Sequence, residues 1–119
     1  MAGTQLVIDS VAAITASVTK GIHSQGVFSA ATFFLDVTTA SGGTSTWTVA
    51  LNWVSPDGNS DTIASVTGHD TENTGLVELA KIAPFDTALD AVPMPNQVVY
   101  TEASGTDALT ATIYALVVQ

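Results

Sequence analysis

The 119-residue chain contains no cysteine, and this absence excludes two kinds of architecture. A disulfide-stapled scaffold and a thiolate metal site both need cysteine sulfur. A chain of this length buries roughly two-thirds of the surface that it exposes when unfolded, which suffices for a hydrophobic core. We therefore expect one domain over residues 1–119, in which residues 1–10 form either a first strand or an extended N-terminal arm.

Positive charge is almost absent. Lys20 and Lys81 are the only basic residues apart from two histidines, arginine does not occur, and eleven acids give a formal net charge of −9. A nucleic-acid-binding protein needs cations to displace the counterions of the phosphates, and anionic membranes attract basic segments. The sequence therefore predicts neither a nucleic acid nor a membrane as partner.

Long apolar runs are also missing. The longest mostly apolar stretch near the start, residues 6–18, is interrupted by Asp9, Ser10, Thr15 and Ser17, whereas a membrane-spanning helix needs about 20 consecutive apolar residues. The opening MAGTQLVID lacks the basic region of a secretory signal peptide. We expect synthesis in the cytoplasm without a signal peptide.

The chain does contain short runs of alternating apolar and polar residues, separated by turn signals. This pattern predicts an all-β fold, a single-domain β-sandwich of about eight strands. The runs are clearest at 28–39, 46–54 and 108–118. Towards its end the last run is apolar on both faces, which is typical of a strand that also contacts a neighbouring layer or subunit.

Most of the large apolar residues lie in the first two of these runs. Alternation gives each run one apolar face, which we expect to be the core: Phe33, Leu35 and Val37, then Trp47, Val49, Leu51 and Trp53. A glycine-containing turn at 41–43 predicts that the two runs pair as a hairpin. Each aromatic side chain buries roughly 150–250 Å². Tyr100 and Tyr114 remain as candidates for surface contacts.

Turn-forming residues between the runs predict the remaining loops. In the Pro56-Asp57-Gly58-Asn59 turn, proline suits the second turn position and glycine a left-handed conformation. Residues 67–75 read as a polar loop and 76–82 as a strand. The three prolines within 83–95 predict an extended loop, with one helical turn at 86–90 as an option.

The best candidate for a metal site is the Asp57, Asn59 and Asp61 set. It resembles the first half of a calcium-binding loop, but the twelfth position, which needs a bidentate acid, is Gly68. A solvated turn explains the same residues and is the preferred interpretation.

Two further sets of polar residues have similarly simple explanations. His69, Asp70 and Glu72 offer ligands for a divalent ion, but a solvated acidic loop is favoured. His23 and Ser24 are adjacent, which is not the spacing of a nucleophile and its base. We assign no catalytic, cofactor-binding or metal-binding residue and expect a protein that is not an enzyme and needs no cofactor.

Three segments carry a family resemblance. ATFFLDVTTASGGTS from residue 31, TWTVALNW from residue 46 and SPDG from residue 55 resemble a group of small tailed-phage virion proteins. The tail of that group is matched more loosely by 98–118. Its arginine before the last strand is replaced by Val98 or Val99, and 66–95 has no counterpart.

The resemblance implies a jelly-roll-like sandwich that serves as a capsid cement or decoration protein. Such a subunit binds and stabilises the capsid lattice from the exterior of the virion, with the major capsid protein and further copies of itself, as a homotrimer, for partners. We expect the contacts at six apolar positions of the N-terminal and C-terminal segments: Leu6, Val7, Ile8, Tyr114, Leu116 and Val118. An arm at 2–8 would pair with the edge of a neighbouring sheet.

Two alternatives stay open at this point. One is a carbohydrate-binding or adhesin module, which would expose aromatic rings for stacking on sugars. The other is a tail or head–tail connector component, which would share the sandwich but form rings or tubes.

Overall fold

A computed structural model describes residues 4–23, 26, 28–39, 46–70, 75–81, 94–104 and 108–118. Within these ranges the chain forms strands and no helix, which confirms the all-β prediction. The nine strands are β1 (Thr4–Ile14), β2 (Val18–Gly21), β3 (Ala30–Thr39), β4 (Thr46–Val54), β5 (Ser60–Asp70), β6 (Gly75–Glu78), β7 (Ala80–Lys81), β8 (Gln97–Ser104) and β9 (Leu109–Val118).

The strands form two antiparallel sheets. The first sheet has the order β1-β9-β3-β6, and the second has the order β2-β8-β4-β5-β7. Strands β1 to β4 alternate between the sheets, whereas the consecutive strands β4 and β5 pair within the second sheet. β1 pairs with β9, β2 with β8 and β3 with β6. Apart from the two-residue β7, this is the strand order of a jelly roll, and the expected β-sandwich is therefore present.

The predicted hairpin between β3 and β4 is wrong. β3 lies in the first sheet between β9 and β6, whereas β4 lies in the second sheet between β8 and β5. Alternation shows only that each strand has an apolar face, and packing across the sandwich satisfies that face as well as pairing within one sheet. The turn predicted at 41–43 lies outside the described residues.

The core is formed by the inward faces of both sheets. All of the predicted inward residues of β3 are buried, as are Trp47, Val49 and Leu51 of β4. The inward set of β9 is buried too: Leu109, Ala111, Ile113, Ala115 and Val117. Trp53 was expected in the core but is 38% exposed. It lies one residue from the end of β4, beyond a register shift after Leu51.

Tyr100 is a buried residue and not the surface contact that we expected. It is 0% exposed because alternation along β8 turns Val98 and Tyr100 into the core. Its hydroxyl donates a hydrogen bond to Asp9 Oδ2 at 2.7 Å. Asp9 Oδ1 in turn lies 3.0 Å from Lys20 Nζ. Since Asp9 belongs to β1 and its two partners to β2 and β8, this network joins the two sheets.

Strands extend into two segments that the sequence did not describe correctly. β5 continues to Asp70, so that 67–70 is strand and not loop, while 71–74 lies outside the described residues. The single strand predicted at 76–82 divides at Leu79, which is buried and donates its N–H to the carbonyl of Phe33 at 3.0 Å. Most of the predicted loop at 83–95, including the option of a helical turn, is also outside the described ranges.

The turn after β4 has the predicted chemistry. The Gly58 N–H donates to the carbonyl of Ser55 at 2.9 Å, and the Ser55 N–H donates to the carbonyl of Asn59 at 2.7 Å. Gly58 adopts a φ of 94°, which residues with a Cβ rarely adopt. No heavy atom would lie within 4 Å of a Cβ built at Gly58, so the restriction comes from the backbone alone.

Replacing Gly58 by alanine should therefore lower the free energy of unfolding by about 1–2 kcal/mol, because the backbone must keep its left-handed conformation. Gly21→Ala is the matched control, since Gly21 also has open space around its Cβ position but no positive φ. Urea denaturation monitored by tryptophan fluorescence measures both values. Equal stability of the two variants would contradict the turn geometry.

Tyr100 should make stability depend on alkaline pH. Burial, reinforced by the Asp9 carboxylate, raises the pKa of Tyr100 well above its ordinary value. The folded state therefore favours the neutral phenol of Tyr100. The contribution of this group to the free energy of unfolding is complete at neutral pH. It is lost as the pH rises above about 10, because the tyrosine of the unfolded chain then ionises.

Tyr100→Phe should cost about 1–2 kcal/mol at pH 7 through the lost hydrogen bond. Between pH 9 and 11 (roughly spanning the ordinary tyrosine pKa) its stability should fall less steeply than that of the unaltered protein. Denaturation curves across this range measure the difference, and parallel profiles would show that the hydroxyl is not buried against Asp9.

Candidate interface on the outer face of the first sheet

The first sheet has a second face, which points away from the core. Alternation along its strands places Gln5 and Val7 of β1, Tyr114 and Leu116 of β9 and Phe34 of β3 on this side. Strand register brings them together, because Gln5 pairs with Leu116 and Tyr114 pairs with both Val7 and Phe34. We call this side of the β1-β9-β3-β6 sheet the outer face.

Exposed hydrophobic side chains are concentrated on the outer face. Val7 is 58% exposed, Leu76 62% and Leu116 47%. Trp53 is the remaining exposed large hydrophobic residue in the described part of the chain, and it belongs to the second sheet. Single exposed hydrophobic residues are ordinary, but residues gathered on one face mark a contact surface.

A groove runs across the outer face. It has a volume of about 350 Å³ and is lined by Gln5, Phe34, Asp36, Leu76, Tyr114 and Leu116. The rings of Phe34 and Tyr114 are half-buried, so each keeps part of its surface open to a ligand. We call this depression the outer groove. Its mixture of aromatic walls and few polar groups is typical of binding sites.

Asp36 places a carboxylate in the outer groove. It pairs with Thr112 of β9 and Leu76 of β6 in the strand ladder, and its side chain is half-buried. Within the described ranges, the carboxylate has neither an ion-pair partner nor a hydrogen-bond donor. The outer groove therefore presents an uncompensated negative charge among apolar and aromatic side chains.

The structure brings together three of the six predicted contact residues. Val7, Tyr114 and Leu116 share the outer face, and Val118 is half-buried at the end of β9. For 4–8, the strand alternative is the one observed, because this segment pairs with β9 of the same chain. Leu6 packs against the core and Ile8 is 6% exposed within it. The proposed contact surface therefore does not include those two side chains.

Strand geometry explains this division. Neighbouring residues on a strand face opposite sides, so Leu6 and Val7 cannot share a surface. Ile8 follows the same alternation and faces inward. The register shift between Val7 and Asp9 brings the largely buried carboxylate of Asp9 to that side as well.

Four residues of the outer groove were not among the predicted contacts. Phe34 and Asp36 were detectable, because the sequence places them opposite the core set of β3. Gln5 and Leu76 were not detectable from the sequence. Nothing local shows that β1 and β6 are the two edge strands of this sheet, with β9 and β3 between them.

At the β4–β5 turn, the carboxylate of the candidate metal ligand Asp57 accepts hydrogen bonds from neighbouring side chains. The Ser55 hydroxyl donates to one Asp57 carboxylate oxygen, and the Asn59 amide donates to the other at 3.3 Å. The hydrogen bond from Ser55 is the main cause that lowers the pKa of Asp57. Asp61 lies on β5, opposite Trp53. These contacts support the interpretation of a solvated turn.

The other polar candidates lie partly outside the described ranges. His69 and Asp70 lie on β5, while Glu72 and Ser24 lie outside the described ranges. Across the described ranges, no group of three or more His, Asp or Glu side chains is arranged to hold a metal ion. The same ranges hold no helix that is long and apolar enough to span a membrane.

No protein-family model, curated protein or solved structure matches this chain significantly. Functional inference therefore starts from the outer face and its groove.

The assignment of faces along β9 predicts a contrast between two leucines of that strand. Leu109 is 0% exposed, so Leu109→Ala should lower the free energy of unfolding by about 2–5 kcal/mol. Leu116→Ala, at an exposed position, should lower it by less than about 1 kcal/mol. Chemical denaturation of the two variants measures this contrast, and similar losses would show that the outer face is covered within the monomer.

Proposed function

We propose that this chain is a structural virion protein, a capsid cement or decoration subunit that binds and stabilises a phage capsid lattice from outside as a homotrimer. The observation that carries the proposal is the apolar outer face of the first sheet. A protein with no partner gains nothing from exposing Val7, Leu76 and Leu116 together, since their burial would yield about 25 cal/mol per Å².

The size of the outer face supports a protein partner. The molecule measures 44 × 36 × 21 Å. Two stacked sheets with their side chains account for the short dimension, so the broad sides are sheet faces. Such a side accommodates the roughly 800 Å² per partner that a stable interface buries.

Fold and charge agree with this role without deciding it. Jelly rolls serve in viral capsid proteins and also in lectins, and a fold alone does not specify function. The net charge of −9 limits non-specific adhesion of a particle surface. The pattern resemblance of residues 31–58 to small virion proteins favours the capsid over the lectin.

The carbohydrate-binding alternative has weaker support. It needs several exposed aromatic rings on one surface, but Trp47 and Tyr100 are 0% exposed. Phe34 and Tyr114 share the outer groove but are both half-buried, and Trp53, which is more exposed, lies in the other sheet.

Co-sedimentation with capsids of the encoding virus, assembled without this chain, tests the proposal. The unaltered protein should bind. Leu116→Asp should bind on the order of tenfold more weakly, because a carboxylate would be buried in the interface without a partner. Thr101→Asp is the matched control, since Thr101 is exposed on β8 of the second sheet and the change in charge is the same.

Absence of binding by the unaltered protein would contradict the proposed function. Equal binding by Leu116→Asp and Thr101→Asp would contradict the assignment of the outer face. Light scattering on the same samples should give the mass of a trimer. The mass of a larger ring would instead favour a connector component. The mass of a monomer would contradict the proposed homotrimer.

A further inference from the structure

We propose that the outer groove is an anchor site for an arginine side chain of the partner protein, with the guanidinium paired to Asp36 and stacked on the rings of Phe34 and Tyr114. The inference rests on the proposed function, because it names the partner chemistry of the same face. It identifies the partner as a protein that supplies a guanidinium group, which this chain lacks.

The unpaired carboxylate requires a cation. A partner that covers the outer face with apolar surface would also cover Asp36, which has no ion-pair or hydrogen-bond partner within the described ranges. Burying an ionised carboxylate without a partner is strongly unfavourable. A positive charge from the partner in the outer groove would compensate this carboxylate best.

The lining of the groove favours arginine over lysine. A guanidinium is planar, weakly hydrated and able to stack on aromatic faces while it pairs with a carboxylate. Phe34 and Tyr114 supply the faces and Asp36 the carboxylate, and Leu76 and Leu116 supply apolar surface for the methylene stem. The volume of about 350 Å³ suits one side chain and its flanking backbone.

A second copy of this chain lacks the side chain that the groove favours. The sequence contains no arginine and only two lysines. Lys20 lies 3.0 Å from Asp9 Oδ1 and also donates to the carbonyl of Ser10 at 3.2 Å, so it is already committed to the link between the sheets. Lys81 is the one remaining lysine in the sequence. The arginine is therefore expected from a different protein.

Binding of a capped arginine, N-acetyl-arginine methylamide, to the isolated protein tests the groove directly. In low salt, NMR titration should shift the amide resonances of Phe34, Asp36 and Tyr114 in a saturable way. Asp36→Asn should bind on the order of tenfold more weakly, because the charge-assisted hydrogen bonds are lost. Asp61→Asn, with the same change in charge at an exposed position of β5 in the second sheet, should bind normally.

A second probe keeps the test independent of any variant. Capped citrulline has nearly the shape of arginine without its charge, and it should bind on the order of tenfold more weakly than capped arginine. Equal binding of the two probes, or equal losses in Asp36→Asn and Asp61→Asn, would overturn the arginine site. Shifts of the same resonances by a simple saccharide but not by arginine would also overturn it, and would favour a carbohydrate site.

The capsid assay separates this inference from the proposed function. Asp36→Asn should reduce capsid binding on the order of tenfold, and Asp61→Asn should not. If the unaltered protein binds capsids and Asp36→Asn binds equally, the arginine anchor is wrong and the capsid function stands. If capsids are not bound but arginine occupies the groove, the capsid function is wrong and the anchor stands. Loss of the oligomer in Lys81→Gln, with no effect of arginine, would identify a second copy as the occupant and overturn the anchor.

Discussion

The structure depends above all on the burial of one face of each sheet against the other. Trp47 at the centre shows how strongly this constraint acts. Its indole N–H is buried without an acceptor among the described residues, which costs about 1–3 kcal/mol. Burial of roughly 150–250 Å² of ring surface stabilises the fold by about 4–6 kcal/mol and outweighs that cost. Because alternation couples the two sides of a strand, burying one face fixes which residues face outward.

The network of Asp9, Tyr100 and Lys20 is a polar interruption of this apolar core, and it occupies one of the few cations of the chain. Asp9 is held by Tyr100 and Lys20, so the two sheets are joined through a carboxylate that is only slightly exposed. The network uses one of the two lysines of the chain. With two lysines and no arginine in the sequence, cations are scarce, and among the described residues Asp36 has no ion-pair partner.

The fold has many uses, but the outer face of this protein has a specific chemistry. A jelly roll is compatible with capsid and with lectin roles, and the buried tryptophan and tyrosine leave few rings for a sugar platform. What remains is an apolar surface with one unpaired carboxylate beside two aromatic rings. Such a surface complements a partner that combines apolar side chains with arginine, which is the partner chemistry that we propose.

The sequence by itself determined the strands and their faces. Alternation predicted the inward set of β3 and that of β4, where it was wrong only for Trp53, and the chemistry of the Gly58 turn was readable as well. Tertiary structure decided which sheet each strand joins, that Tyr100 is buried against Asp9, and that β6 carries Leu76 to the outer groove. Periodicity reports the two sides of a strand because it is local. Strand partners are long-range, as in β1 with β9 at opposite ends of the chain, and only packing of the whole molecule selects them.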